Sequence, residues 1–173
     1  IRNYGIATFD AFRVETDHLL FQSLASLLGL AENAARIVQR DERARHHLRI
    51  VQLPFNQAMP EGFTRFSQAT GQGNVASTLQ AAHQLKIFVM GSHGLAKGAL
   101  AGQCADAVRT AMPDFANDAQ RALQFNRSTP GLGVSLAGIS TPAHLDDLLA
   151  VAARPPLARE AYLSLYRKAD DGD

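Results

Sequence analysis

Apolar residues gather in four short runs, Tyr4 to Thr8, Leu48 to Phe55, Lys86 to Gly91 and Gly133 to Ile139. The last three runs are followed at once by Asn56, Ser92 and Ser140, and each of the four leads into a segment of helical period. Strands alternating with helices predict parallel βαβ units. The recurrence at roughly 40 residues suits one strand, its loops and a crossover helix, and the unbroken apolar character predicts strands buried on both faces.

The helical segments are read from their ends and periods. Asp17 is a candidate cap for a helix with Leu20, Leu24, Leu27 and Leu28 on one face, and Asn74 for a second with Val75, Leu79 and Ala82 facing inward. Asp118 opens a third, with Ala122 and Phe125 as its core stripe. Thr141 before Pro142 places a capping hydroxyl ahead of proline at the first helical position, and Leu145, Leu148 and Leu149 follow as an apolar stripe. Pro155 and Pro156 end that helix; Leu157 to Lys168 reads as a terminal amphipathic helix, before an acidic, frayed tail from Asp170 to Asp173. The sum is four βα units plus a terminal helix in one domain, residues 1–173, with no low-complexity linker and no close internal repeat.

Composition narrows the class. A chain of 173 residues supports one hydrophobic core and falls short of the roughly 250 residues usual for a complete eight-stranded α/β barrel. With 46% hydrophobic and 19% charged residues it reads as a soluble globular domain, and no run approaches the ~18 apolar residues of a membrane span. Net charge is only +1, and the basic stretch from Arg36 to Arg49, with His46 and His47, is broken by Asp41 and Glu42. It reads as a solvated helix end and loop rather than a nucleic-acid patch. The single cysteine, Cys104, excludes an intramolecular disulfide and reads as a free, buried thiol, which suits a reducing cytoplasm. Ile1 to Thr8 reads as a strand rather than a signal peptide, so the chain is expected to begin within a fold.

In parallel α/β folds the working residues lie at the C-terminal ends of strands. Here those ends carry Thr8, then Gln52 with Asn56, then the loop from Ser92 to Gly98, then Gly138 to Thr141. No Ser-His-Asp set, Cys-His pair or HExxH motif is present. Ser140, Thr141 and the amides that open the helix at Pro142 suit an anion, through unpaired N–H groups and the helix dipole. A plain N-cap accounts for the same residues. Gln52 alone reads as a strand-end hydrogen-bonder as readily as a ligand, and Arg127 with Ser128 as a helix end before a turn. His18, His46, His47 and His83 read as surface or helix-face histidines, whereas His93 lies in a Gly-bounded loop at a strand end.

Four segments, in order, resemble the aldo-keto reductase family. Tyr4 to Phe9 (YGIATF) is similar to the family's fifth strand, usually G-V-S-N and an aromatic; Val51 to Asn56 (VQLPFN) is similar to its sixth. Ser92 to Gly102 (SHGLAKGALAG) resembles the seventh-strand loop, usually Y-S-P-L-x-x-G-x-L-x-G. Ala122 to Phe125, Thr129 to Gly131 and Ala137 to Pro142, with His144 and Asp147, resemble the last helix, strand and phosphate-binding turn. The resemblance implies a (βα)4 half of a TIM-type (β/α)8 barrel with parallel strands: the C-terminal, cofactor-binding half.

By that resemblance Thr8 and Gln52 hold the nicotinamide carboxamide of NADP, with Ala7 in place of the usual Ser, and Ser92 stands where the family stacks an aromatic on the ring. Leu95, Lys97 and Gly98 close over the pyrophosphate, Lys97 by charge and Gly98 by permitting close backbone approach. Gly138, Ser140 and Thr141 take the adenosine 2′-phosphate, with His144 where the family has an Arg. The family's catalytic Asp, Tyr, Lys and His belong to strands two to four, so no catalytic residue is carried over. The expected function is a fragment of an NADP(H)-dependent carbonyl reductase, inactive alone, acting on a small-molecule carbonyl once joined to an N-terminal half or a second copy. The alternatives are a non-catalytic half-barrel that binds nucleotide or serves assembly, and, less favoured, a flavodoxin-like or receiver-like domain, for which neither an acidic pocket nor a Gly loop after the first strand is present.

Overall fold

A computed structural model describes residues 2–70 and 73–167. Strands β1 (Tyr4–Ala7), β2 (Leu48–Pro54), β5 (Phe88–Ser92) and β6 (Val134–Ser135) form one sheet in the order β1-β2-β5-β6, with every pairing parallel. This is the α/β architecture read from the four apolar runs, at trimmed boundaries. Thr8 and Phe55 continue β1 and β2 through bonds to Gln52 O (3.0 Å) and Ser92 O (2.9 Å). Lys86 sits at φ 58° and precedes β5, which instead runs on to Ser92. The fourth strand is two residues rather than the seven expected; after Leu136 N–H reaches Gly91 O (2.7 Å) the chain leaves the sheet.

Two helix starts differ from expectation, each because a tertiary contact outcompetes the local cap. Helix α1 is Leu24–Gln39, capped by Ser23 rather than Asp17. The fully buried Gln68 fixes that start, accepting from Leu24 N–H (2.9 Å) and donating to Gln22 O (3.1 Å). Leu20 is therefore exposed in the loop before the helix, while Leu24 is buried and Leu27 and Leu28 pack on the core. Asn74 caps no helix; it closes an antiparallel hairpin of β3 (Phe66–Ala69) and β4 (Val75–Ser77) that periodicity did not predict. Val75 is accordingly an exposed strand residue, and Ser77 caps α3 (Thr78–Gln84) through a capping box with Gln80. Leu79 and Ala82 face the core as read.

Between these elements lie α2 (Glu61–Thr64), an irregular turn over Ala96–Ala101, and α4 (Asp106–Ala111). Helix α5 (Asp118–Arg127) starts where expected, with Asn117 as cap and Ala122 and Phe125 buried. Helix α6 (Pro142–Ala152) has Thr141 as cap. Its buried stripe is rotated: Leu148 and Val151 pack inward, while Leu145 and Leu149 are exposed. The terminal helix α7 is shorter than expected, Arg159–Ser164; Lys168 and the tail Asp170 to Asp173 lie outside the described residues, as does Ile1.

The helices cover one face of the sheet. Register aligns Ile6, Val51 and Val89 on that face, and with Leu53 they pack against Phe55, Leu79, Phe125 and Tyr162. Val51, Leu53 and Val89 thus belong to the sheet–helix core and not, as a barrel interior would require, to the opposite face. That open face carries Gly5, Ala7, Ile50, Gln52, Phe88, Met90 and Val134, of which Phe88 (48%) and Val134 (38%) are the large exposed apolar groups. Among the described residues no helix is long and apolar enough to cross a membrane.

Candidate functional site

The last two strand ends and the helices that follow them enclose a groove of about 680 Å3. One wall is the turn after β5, with His93, Leu95, Lys97 and Gly98; the other is the chain from Leu136 to Ser140 and the first turns of α6, with His144 and Asp147. Asn117 and Leu123 of the α5 region form the floor. Leu123, Leu136, Ile139 and Leu148 make much of the lining apolar, and the polar groups converge from both walls, which suits a ligand with a flat apolar body and a charged group.

The α6 end of the groove has few amides to offer an anion. Pro142 has no N–H, and the His144 N–H is taken by Thr141 Oγ1 (3.3 Å), which leaves Ala143 as the amide without a partner inside the first turn. Ser140 Oγ lies 3.0 Å from His144 Nδ1, so the hydroxyl and imidazole are ordered together. Thr141 is therefore first a cap, and Ser140 and His144 are the polar side chains that line the groove at this end. On the opposite wall Lys97 supplies a cation from backbone held at φ 57°, with Gly98 at φ 96° beside it.

The one carboxylate of the lining is held in place. Asp147 Oδ1 accepts from Asn117 Nδ2 and Gln120 Nε2, both at 2.8 Å, which ties α6 to the start of α5 beneath the groove.

Of the ten residues singled out from the sequence, Leu95, Lys97, Gly98, Gly138, Ser140 and His144 line this groove and Thr141 caps the helix beside it. Thr8, Gln52 and Ser92 lie outside it, at the C-terminal ends of β1, β2 and β5. Register pairs Ala7 with Gln52, and Thr8 joins through its N–H to Gln52 O (3.0 Å). The Thr8 hydroxyl is shielded from solvent and has no partner, an orphaned donor at the strand end where a ligand amide is expected. His93 connects the two places: it lines the groove and meets the Phe9 ring edge-on at 5.7 Å. Phe9 is itself fixed by Arg13, whose guanidinium lies over the ring at 5.7 Å and donates to Phe9 O at 3.2 Å.

Sequence reasoning missed Asn117 and Leu123 on the α5 side of the groove, and Gln120, which holds Asp147. Asn117 had a usable signal as the polar residue before a helical run; Gln120 and Leu123 had none. Tyr162 and Tyr166 are structural: Tyr162 is fully buried, its hydroxyl bonded to Thr129 Oγ1 (2.8 Å) and Tyr166 (3.1 Å), and burial pushes both phenols up from their ordinary range. Cys104 is free and buried as read, its thiol pushed up by burial. No group of three or more potential metal ligands occurs among the described residues.

No family model and no curated protein matches the chain. Among solved structures, one assigned as a 2,5-diketo-D-gluconic acid reductase B aligns over 95% of this chain and 44% of its own, with a TM-score of 0.52 and 17% identity. The aldo-keto reductase AKR11C1 from Bacillus halodurans aligns in its holo form over 80% of this chain and 48% of its own, with a TM-score of 0.47 and 13% identity. The chain thus spans about half the length of these two structures. The likeness to the reductase B structure shows the fold: a four-stranded parallel β/α unit matching part of an aldo-keto reductase barrel.

Proposed function

We propose that this chain is the cofactor-binding half of an NADP(H)-dependent carbonyl reductase of the aldo-keto reductase kind, and that the groove takes the adenosine-phosphate end of the dinucleotide. The observation that carries the reading is the convergence of Lys97 from one wall with Ser140 and His144 from the other, at the N-terminus of α6, across an apolar-lined space of about 680 Å3. Lys97 and a helix N-terminus attract a phosphate, the Ser140 hydroxyl donates to it, and the leucines shed water from a flat ring. The orphaned Thr8 hydroxyl, with Gln52 nearby, suits a carboxamide at the other end.

When bound, NADPH supplies the hydride that reduces a carbonyl. The residues of this chain bind and orient the dinucleotide, and the proton donor comes from outside it. Tyr162 and Tyr166 are engaged in the helix core, and Tyr4 opens β1 at the opposite end of the strand from Thr8. The isolated chain therefore has no carbonyl reductase activity of its own.

Titration calorimetry with NADPH, NAD and 2′-phospho-AMP tests the reading. NADPH and 2′-phospho-AMP are expected to bind with similar affinity and NAD more weakly, and Lys97→Ala to weaken both phosphate ligands about tenfold, the order of one charge-assisted hydrogen bond. Absence of binding by NADPH and 2′-phospho-AMP alike sinks it.

The bare sheet face favours a second element of the proposal, a partner. Phe88 and Val134 are exposed on the face that a closed barrel would enclose, and β1 and β6 each leave an edge unpaired. A complementary half, or a second copy, covers that face and completes the barrel.

A further inference from the structure

We propose that Asn56 and Asn126 are positioning residues for the groove: two buried amides that grip the carbonyls of His93 and Gly94 and so hold the following turn in the strained backbone that presents Lys97. The proposal rests on the reading of the groove as an anion site and adds the device that shapes it.

The turn is unusual in its backbone. His93 (φ 61°), Ala96 (φ 48°), Lys97 (φ 57°) and Gly98 (φ 96°) all occupy the left-handed region within six positions, and three of them carry side chains that disfavour it. A free loop relaxes from such a conformation; one that persists is over-determined by its surroundings. The bonds inside the turn are Ala96 N–H to His93 O (2.9 Å), Gly98 N–H to Leu95 O (2.8 Å) and Leu100 N–H to Leu95 O (3.2 Å). They close the turn but do not attach it to the body of the protein.

Leu95 packs on the core and Leu100 is buried, and the hydrogen-bonded attachment comes from the two asparagines, each with no exposed surface. Asn56, just past β2, donates Nδ2 to His93 O at 2.8 Å and steadies itself by accepting from Ala58 N–H at 2.9 Å. Asn126, inside α5, donates Nδ2 to Gly94 O at 3.0 Å. It stands in the last turn of α5, and its Oδ1 is buried without a partner. The acceptor side of the amide is forgone, so its place is explained by the donor that grips Gly94. Close packing at that point requires glycine: a Cβ on residue 94 would lie 2.9 Å from Asn126 Nδ2 and 3.2 Å from Ser135 Oγ.

Hydrogen exchange of the unliganded chain reads the clamp directly. In Asn126→Ala, protection of the Ala96, Gly98 and Leu100 amides is expected to fall by about tenfold, the worth of one buried hydrogen bond, while that of β2 amides stays unchanged. Affinity for 2′-phospho-AMP falls by a similar factor. Adding Ala96→Gly, which lowers the cost of the left-handed backbone, restores part of both losses, a rescue that mere damage to the core would not show. If the alanine variant does not fold, Asn126→Ser is carried through the same measurements. Unchanged protection at the three amides overturns the clamp whatever the ligand does, and lost protection with unaltered affinity overturns its role in binding. Should the wild-type chain fail to bind 2′-phospho-AMP, the reading of the groove falls, and the exchange data alone judge the clamp.

Discussion

Arg109 holds Asp118 in a two-pronged grip, Nη2 to Oδ2 at 2.7 Å and Nε to Oδ1 at 3.2 Å, at the point where α5 begins. The Cys104 N–H (3.2 Å) and Arg121 Nη1 (3.2 Å) complete the set around the carboxylate. Arg109 chiefly, then the Cys104 amide, hold the Asp118 carboxyl at about 2, below its usual 3.8. A depressed carboxylate contributes stability that is present above its unfolded value and lost as pH falls through its folded one. Acid unfolding of the wild-type chain should therefore steepen between about pH 4 and pH 2, and Asp118→Asn should flatten that window while lowering stability at pH 7. Thermal melts across the pH range check this, and an unchanged profile in the variant would falsify the assignment.

Tyr162 ties α7 to the core through Thr129 Oγ1 and through ring contacts with Phe63 and Phe125. Tyr162→Phe keeps the rings and forfeits the hydroxyl bonds, at a cost of about 1–2 kcal/mol. Tyr162→Ala empties a fully buried site and costs roughly 3–5 kcal/mol. Urea titration separates the two; equal losses would mean that packing contributes nothing beyond the hydroxyl.

Thr141 and Ser140 are adjacent yet have different jobs, and their variants should divide accordingly. Thr141→Ala removes the cap on His144 N–H and is expected to cost about 1 kcal/mol of stability. Ser140→Ala should leave the melt nearly unchanged while weakening 2′-phospho-AMP, because its hydroxyl faces the groove. A large stability loss in Ser140→Ala would show that its contact with His144 is structural.

Charge on the open sheet face should prevent association without unfolding the chain. Phe88→Lys and Val134→Lys place an ammonium on the face that a partner would cover, and light scattering at micromolar concentration is expected to show a smaller species than wild type. Ile6 is unsuited to this test, because it packs against the core and a charge there is expected to destabilise the fold itself. A monomeric wild-type chain would remove self-pairing and leave a separate half as the partner.

The parallel βα order was legible because Val51, Leu53 and Val89 sit in apolar runs that only a buried strand tolerates. Ser23 and Ser77 were overlooked in favour of Asp17 and Asn74, since a cap is chosen partly by what the preceding chain must reach: Gln68 for α1 and the hairpin for α3. The hairpin was illegible because its inward residues, Ser67 and Gln68, are polar, and Gln68 is held inside by its bonds to Leu24 N–H and Gln22 O rather than by transfer from water. In the groove, Ser140 was readable from its place before a capped helix start, and Leu95, Lys97 and Gly98 through the resemblance of their loop to the family's seventh-strand loop. Asn126 left one trace, a polar residue one helical turn after the core residue Ala122, where an apolar one would be routine.

Helix α6 is fastened to α5 at two levels, by Asn117 and Gln120 on Asp147 and by Arg127 Nη1 on the carbonyls of Val151 and Arg154. A rod pinned twice cannot swing about either pin, so the α6 wall of the groove behaves as a fixed jamb.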